Sequence, residues 1–78
     1  MATLPVISGR DAVKVFEKLG FIFHHQKGSH IILYHPNGRH LSVPDRRELD
    51  RGTLRALIRG AGITVEEFVA STLADPRT

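Results

Sequence analysis

Cysteine is absent from the 78 residues. Disulfides and thiolate metal sites are therefore excluded, and with them the covalent staples of many small secreted domains. No apolar run approaches the ~20 residues of a membrane-spanning helix. Near the N-terminus Leu4, Val6 and Ile7 are interrupted by Pro5 and soon followed by charge, which does not match a signal peptide. A cytoplasmic protein without a membrane partner is the expectation. Carboxylates are missing from the region that holds the histidines, and the acids elsewhere cluster at helix starts and in the 45–50 connection. Capping and solvation account for acids so placed, which leaves a carboxylate-based hydrolase without support. No internal repeat or low-complexity segment is present.

The length makes one domain, residues 1–78, with an ordered core of about 6–73. Such a chain buries only roughly 60% of the surface its unfolded form exposes, so stability is modest. Formal charge is +3, and eight of the eleven cationic side chains are arginine. Arginine suits phosphate because its planar fork donates two parallel hydrogen bonds. A basic domain of this size is compatible with nucleic-acid binding, although +3 is a modest excess. The five histidines are more unusual, since all lie between positions 24 and 40.

Residues 21–44 read as a three-stranded antiparallel meander. Phe21-Ile22-Phe23 continues into His24-His25-Gln26, and Ile31-Ile32-Leu33-Tyr34 forms a second run. Arg39-His40-Leu41-Ser42-Val43-Pro44 forms a third. Asn37-Gly38 between apolar runs predicts a type I′ hairpin turn, and Gly28 gives a weaker turn signal after Lys27. Strand parity places His30, Ile32 and Tyr34 on one side of the sheet, with Ile31, Leu33 and His35 on the other. Before the meander, Ser8 caps a helix with the apolar stripe Ala12, Val15, Phe16 and Leu19, ending at Gly20. Arg10, Lys14 and Lys18 share another face of it, which reads as solvated ahead of a phosphate-binding stripe. After the meander, Asp50 caps a second helix with the stripe Leu54, Leu57, Ile58 and Ala61, and Gly62 stops it. Arg51, Arg55 and Arg59 occupy its outer face. Thr64 and Glu67 have capping-box spacing and open a third helix carrying Phe68 and Val69. Residues from Ala74 onward should fray. The order is that of an α+β domain with helices on one face of a sheet.

Metal ligation by the histidines is disfavoured, because neighbours such as His24 and His25 point to opposite faces of a regular strand. A serine nucleophile has little behind it either: Ser29 precedes His30 directly and would project away from it. Acid–base chemistry on RNA needs less. RNA carries its own nucleophile, the 2′-hydroxyl, so the protein must only move protons and hold the phosphate. His30 beside Lys27 meets that need, with no metal or other cofactor. From residue types alone, catalysis and an inert strand-end histidine both remain open.

Lys27-Gly28-Ser29-His30, His35-Pro36-Asn37-Gly38, Val43-Pro44, Arg51-Gly52-Thr53-Leu54 and Ala61-Gly62-Ile63 occur in that order. The ordered pattern, from Ser8-Gly9-Arg10-Asp11 through Glu66-Glu67-Phe68, resembles the HicA toxin family and covers roughly residues 6–70. The resemblance implies a double-stranded-RNA-binding-domain-like fold, α-β-β-β-α(-α). It implies a metal-independent mRNA interferase, an endoribonuclease that arrests translation, with RNA as substrate and a HicB-type antitoxin as partner. No DNA is expected to bind the toxin alone. The family's catalytic histidine matches His30, and Lys27, Gly28 and Ser29 match the residues before it. Arg46 and Arg47 are candidate RNA contacts, with a solvated loop as the equal alternative. Many relatives carry a histidine two residues after Val-Pro, where this chain has Arg46. A non-catalytic RNA- or antitoxin-binding module on the same fold is the alternative function.

Overall fold

Ser8 opens the first helix as its position predicts: in the computed structural model its Oγ accepts the amide of Asp11 at 3.0 Å. The structure describes residues 3–73. The elements are α1 (Gly9–Lys18), β1 (Ile22–Lys27), β2 (His30–Tyr34), β3 (His40–Pro44), α2 (Arg51–Ala61) and α3 (Val65–Leu73). The expected fraying from Ala74 onward lies outside the described residues. Among the described residues no helix is long and apolar enough to cross a membrane.

Alternation along the strands decides where the core sits. Ile31 and Leu33 of β2 and Leu41 and Val43 of β3 are buried under the helices, while His30, Tyr34, His40 and Ser42 face outward. The sheet is antiparallel in the order β1-β2-β3, so Pro44 falls on an edge strand, where a missing ladder donor costs little. The helical stripes close the other side. Phe16 is fully buried, with its ring centroid 5.3 Å from Phe68 and 5.9 Å from Phe21. Burying a side chain of that size contributes roughly 1.5–3 kcal/mol. The helix ends follow the local chemistry of the chain. Gly62 takes φ 75° at the end of α2. Thr64 Oγ1 accepts the Glu67 amide at 3.0 Å while Glu67 Oε1 accepts the Thr64 amide at 2.8 Å, a reciprocal capping box.

Three local expectations are corrected. The second hairpin is not built on a type I′ Asn37-Gly38 turn. The Gly38 amide bonds to the His35 carbonyl at 2.9 Å, which centres the turn on Pro36 and Asn37, and Asn37 keeps a negative φ. Proline pre-sets the first central position of a type I turn, so the reversal begins one residue earlier and only Gly38 takes positive φ, 94°. Next, β1 is not regular. Its register against β2 shifts between Phe23 and His25, and this bulge brings the His24 and His25 rings together rather than setting them on opposite faces. Finally, Ser29 belongs to the turn, not to the strand, so parity does not carry it away from His30.

Leu49 and Val13 are core residues outside the predicted stripes. Leu49 sits in the connection before α2, and its amide bonds to the Ile7 carbonyl at 2.8 Å, tying the segment before α1 to the one after β3.

Candidate functional site

A two-residue turn, Gly28-Ser29, joins β1 to β2 and leaves Lys27 and His30 as direct cross-strand partners. Gly28 has φ 59°, so the glycine serves the turn's backbone; a Cβ added there would meet nothing within 4 Å. Space above the turn is therefore open. Its two carbonyls are held from outside the turn. Gln26 Nε2 donates to the Gly28 oxygen at 3.2 Å, and the Asp45 amide donates to the Ser29 oxygen at 2.7 Å.

Lys27, Gly28, Ser29 and His30 line one open depression of about 590 Å³ together with Ile32 and Ser42. Ile32 and Ser42 were missed as lining residues, although parity puts Ile32 beside His30 and the β2–β3 register pairs Ile32 with Ser42. The His30 ring is exposed and, among the described residues, hydrogen-bonds to none of them. Both ring nitrogens can reach a ligand. Lys27 supplies a positive charge and no carboxylate lines the hollow; Asp45, the acid held near the turn, is paired with Arg10, so a phosphate entering the hollow meets net attraction.

Arg46 and Arg47 are exposed but do not line this depression. They follow Pro44, the cross-strand partner of His30, and Arg46 is fixed through its main chain. Its amide donates to the Pro44 carbonyl at 3.0 Å and its carbonyl accepts the Gly9 amide at 2.8 Å. The remaining histidines divide. His35 is half-buried, its Nδ1 accepting the Asn37 amide at 3.0 Å and its ring edge-on to Phe21, which makes it a structural residue of the second turn. His24, His25 and His40 are exposed on the outer face of the sheet. Among the described residues no group of three His, Cys, Asp or Glu side chains is arranged to hold a metal ion.

Asp45 links the turn to α1. Its carboxylate accepts Arg10 Nε at 3.1 Å and Nη2 at 3.2 Å, a bidentate pair. The Arg10 hydrogen bonds are the main reason the Asp45 carboxyl lies below its ordinary range, with the Arg10 charge and Gln26 adding to them against partial desolvation. A carboxylate depressed in the folded state contributes stability that is complete above its unfolded pKa and is lost as pH falls through the folded one. Asp45→Asn should thus lower the urea midpoint slightly at neutral pH, with the gap to wild type closing as pH falls below the ordinary carboxylate range and through the lowered folded value. A gap independent of pH would show that the pair contributes nothing through charge.

A family model described as the HicA toxin of bacterial toxin–antitoxin matches residues 9–63, more than half of the chain and all of the residues above. Among solved structures, a similar chain belongs to a toxin–antitoxin complex from Streptococcus pneumoniae. The two are 28% identical, with a TM-score of 0.67, over 73% of this chain and 98% of that one. No curated protein matches.

Proposed function

The chain belongs to the HicA toxin family of bacterial toxin–antitoxin systems, and from that premise we propose that it is an RNA-cleaving toxin whose proton-transfer residue is His30. The observation that carries the reading is the setting of that ring: exposed, beside Lys27, over an open hollow free of carboxylates. The ribose 2′ oxygen attacks the adjacent phosphorus, the bond from phosphorus to the 5′ oxygen breaks, and a 2′,3′-cyclic phosphate and a 5′-hydroxyl result. The His30 imidazole takes the 2′ proton, and a proton returns to the departing 5′ oxygen. Lys27 holds the phosphate while charge develops on it. Arg46 stands where many relatives carry a second histidine; it can bind phosphate but cannot exchange protons near neutral pH. His30 therefore carries the acid–base work alone.

An antitoxin partner is part of the same reading, supported by the description of the Streptococcus pneumoniae structure as a toxin–antitoxin complex. A protein that covers the turn and the hollow would silence the site by occupying it. Purified protein in excess chelator should degrade an unstructured RNA, and adding the antitoxin should stop it. RNA binding at low salt without any cleavage would instead favour a non-catalytic module. Neither binding nor cleavage would leave only the protein-interaction role.

A further inference from the structure

The outer face of the sheet carries rings that the cleavage mechanism does not use. Tyr34 stacks on His24 with centroids 4.5 Å apart and planes 19° from parallel. His40 follows at 6.0 Å from Tyr34, and His25 meets His24 edge-on at 4.9 Å. Tyr34 is 48% exposed, and the three imidazoles are exposed as well. This group stands on the same face as His30. Alternation along β2 aligns His30, Ile32 and Tyr34, and the register sets His40 opposite Tyr34 and Ser42 opposite Ile32. His30 and Tyr34 are four positions apart, roughly 13 Å along the strand. Ile32, between them, also lines the His30 hollow, so the ring cluster and the hollow are one continuous surface.

We propose that this face is a stacking platform for unpaired bases of single-stranded RNA, seated so that the backbone reaches His30. The proposal rests on the RNA-cleavage reading and adds the surface that holds the bases beside the cut. Charge does not oppose it: from residue 22 to residue 44 the chain has no Asp or Glu, while the cations Lys27 and Arg39 lie within it. His24 covers one face of Tyr34, so a base stacks on the other side, toward the His40 ring 6.0 Å away and tilted by 41°, and such stacking has little regard to sequence. Bases inside a duplex keep their faces against one another and expose only their edges, so a double strand has nothing to stack here.

Tyr34 is the only tyrosine and tryptophan is absent, so intrinsic emission reports this residue alone. The probe is an eight-nucleotide unstructured 2′-O-methyl RNA, which lacks the attacking hydroxyl, titrated into the wild-type protein. Single strand should quench Tyr34 emission saturably, while the same strand annealed to its complement should bind at least tenfold more weakly. By anisotropy of the labelled strand, Tyr34→Leu should weaken binding roughly ten- to a hundredfold. Tyr34→Phe, which keeps the ring, should stay near wild type, and far-UV circular dichroism of both variants checks that they are folded. Binding without quenching, a Tyr34→Leu affinity within twofold of wild type, or equal binding of duplex would each overturn the platform. So would Tyr34→Leu losing the antitoxin while keeping RNA, which would assign the face to a protein. Cleavage of ordinary RNA is a separate readout. If it is absent while quenching holds, the ribonuclease reading fails and the platform stands; if it is present without quenching, the reverse follows.

Discussion

Replacing His30 with alanine is expected to lower the rate of RNA cleavage by roughly 10²- to 10⁴-fold, the span that positioned proton transfer supplies. Binding should change little, because Lys27 and the turn that shapes the hollow remain. Stability should also hold to within about 0.5 kcal/mol, since the ring is exposed and hydrogen-bonds to no described residue. The three results together distinguish chemistry from architecture. A variant that lost cleavage and folding in parallel would make His30 a structural residue. A variant that lost cleavage and binding in parallel would make it a phosphate contact. Single-turnover rates, RNA anisotropy and urea unfolding of one preparation give all three.

The second large effect is on stability and comes from a residue far from the turn. A Cβ built on Gly9 would lie 1.9 Å from the Pro44 carbonyl oxygen, 3.0 Å from the Pro44 carbonyl carbon and 3.2 Å from the Arg46 amide nitrogen. All three are backbone atoms, so no flexible side chain can swing aside. Nor can α1 withdraw without cost, because the Gly9 amide donates to the Arg46 carbonyl at 2.8 Å. Overpacking of this kind costs about 1–3 kcal/mol or more. A small domain has little beyond the ~5 kcal/mol at the lower end of ordinary stabilities, so Gly9→Ala should lower the urea midpoint severely. The same substitution at Gly52 makes the contrast. There a Cβ meets only Asp50 Oδ2 at 3.6 Å, and Gly52→Ala within α2 should stabilise by about 0.5–1 kcal/mol. Opposite signs at two helical glycines would place the constraint in the docking of α1 against the end of β3. Equal midpoints for Gly9→Ala and wild type would show that this close approach is wrong. Since Pro44 is the cross-strand partner of His30, Gly9→Ala should also reduce cleavage at temperatures where it is still folded.

Gly9 also shows where reading the chain stops. Its neighbour is 35 positions away, and nothing local distinguishes a glycine that starts a helix from one pressed against a distant carbonyl. The features that proved legible are those whose cause is local. Ser8, Gly62 and the Thr64–Glu67 pair satisfy helix ends within a few residues of themselves. The apolar stripes of α1 and α2 follow from a 3.6-residue period, and the buried side of β2 and β3 follows from a period of two. Parity likewise aligns Tyr34 and Ile32 with His30. Parity fails where a strand bulges, which is why His24 and His25 were assigned to opposite faces although their Nδ1 atoms lie 2.7 Å apart. Leu49 was hidden by its setting, one apolar residue in a charged connection, and only its tie to Ile7 explains its burial. Within the candidate site, Lys27 through His30 were recognisable as one short stretch. The share of Ile32 and Ser42 depended on register across two strands, and the separation of Arg46 and Arg47 from the hollow depended on how the chain leaves β3.

The turn is held by Asp45 and Gln26 rather than by the side chains that would touch RNA. Asp45 contributes an amide to the Ser29 carbonyl and a carboxylate to Arg10, while Gln26 reaches the Gly28 carbonyl. The arrangement leaves the His30 and Lys27 side chains uncommitted to holding the turn. In this it resembles other sites in which the reacting groups are placed by a shell that does not itself react.

The most direct measurement is single-turnover cleavage, in excess chelator, of one oligoribonucleotide and of the same strand carrying a single 2′-deoxyribose on the 5′ side of the mapped cut. If RNA supplies the nucleophile and His30 moves its proton, the all-ribose strand is cut to a 2′,3′-cyclic phosphate and the deoxy position stays intact. Cutting at the deoxy position, or ends that carry no cyclic phosphate or its hydrolysis product, would contradict the mechanism.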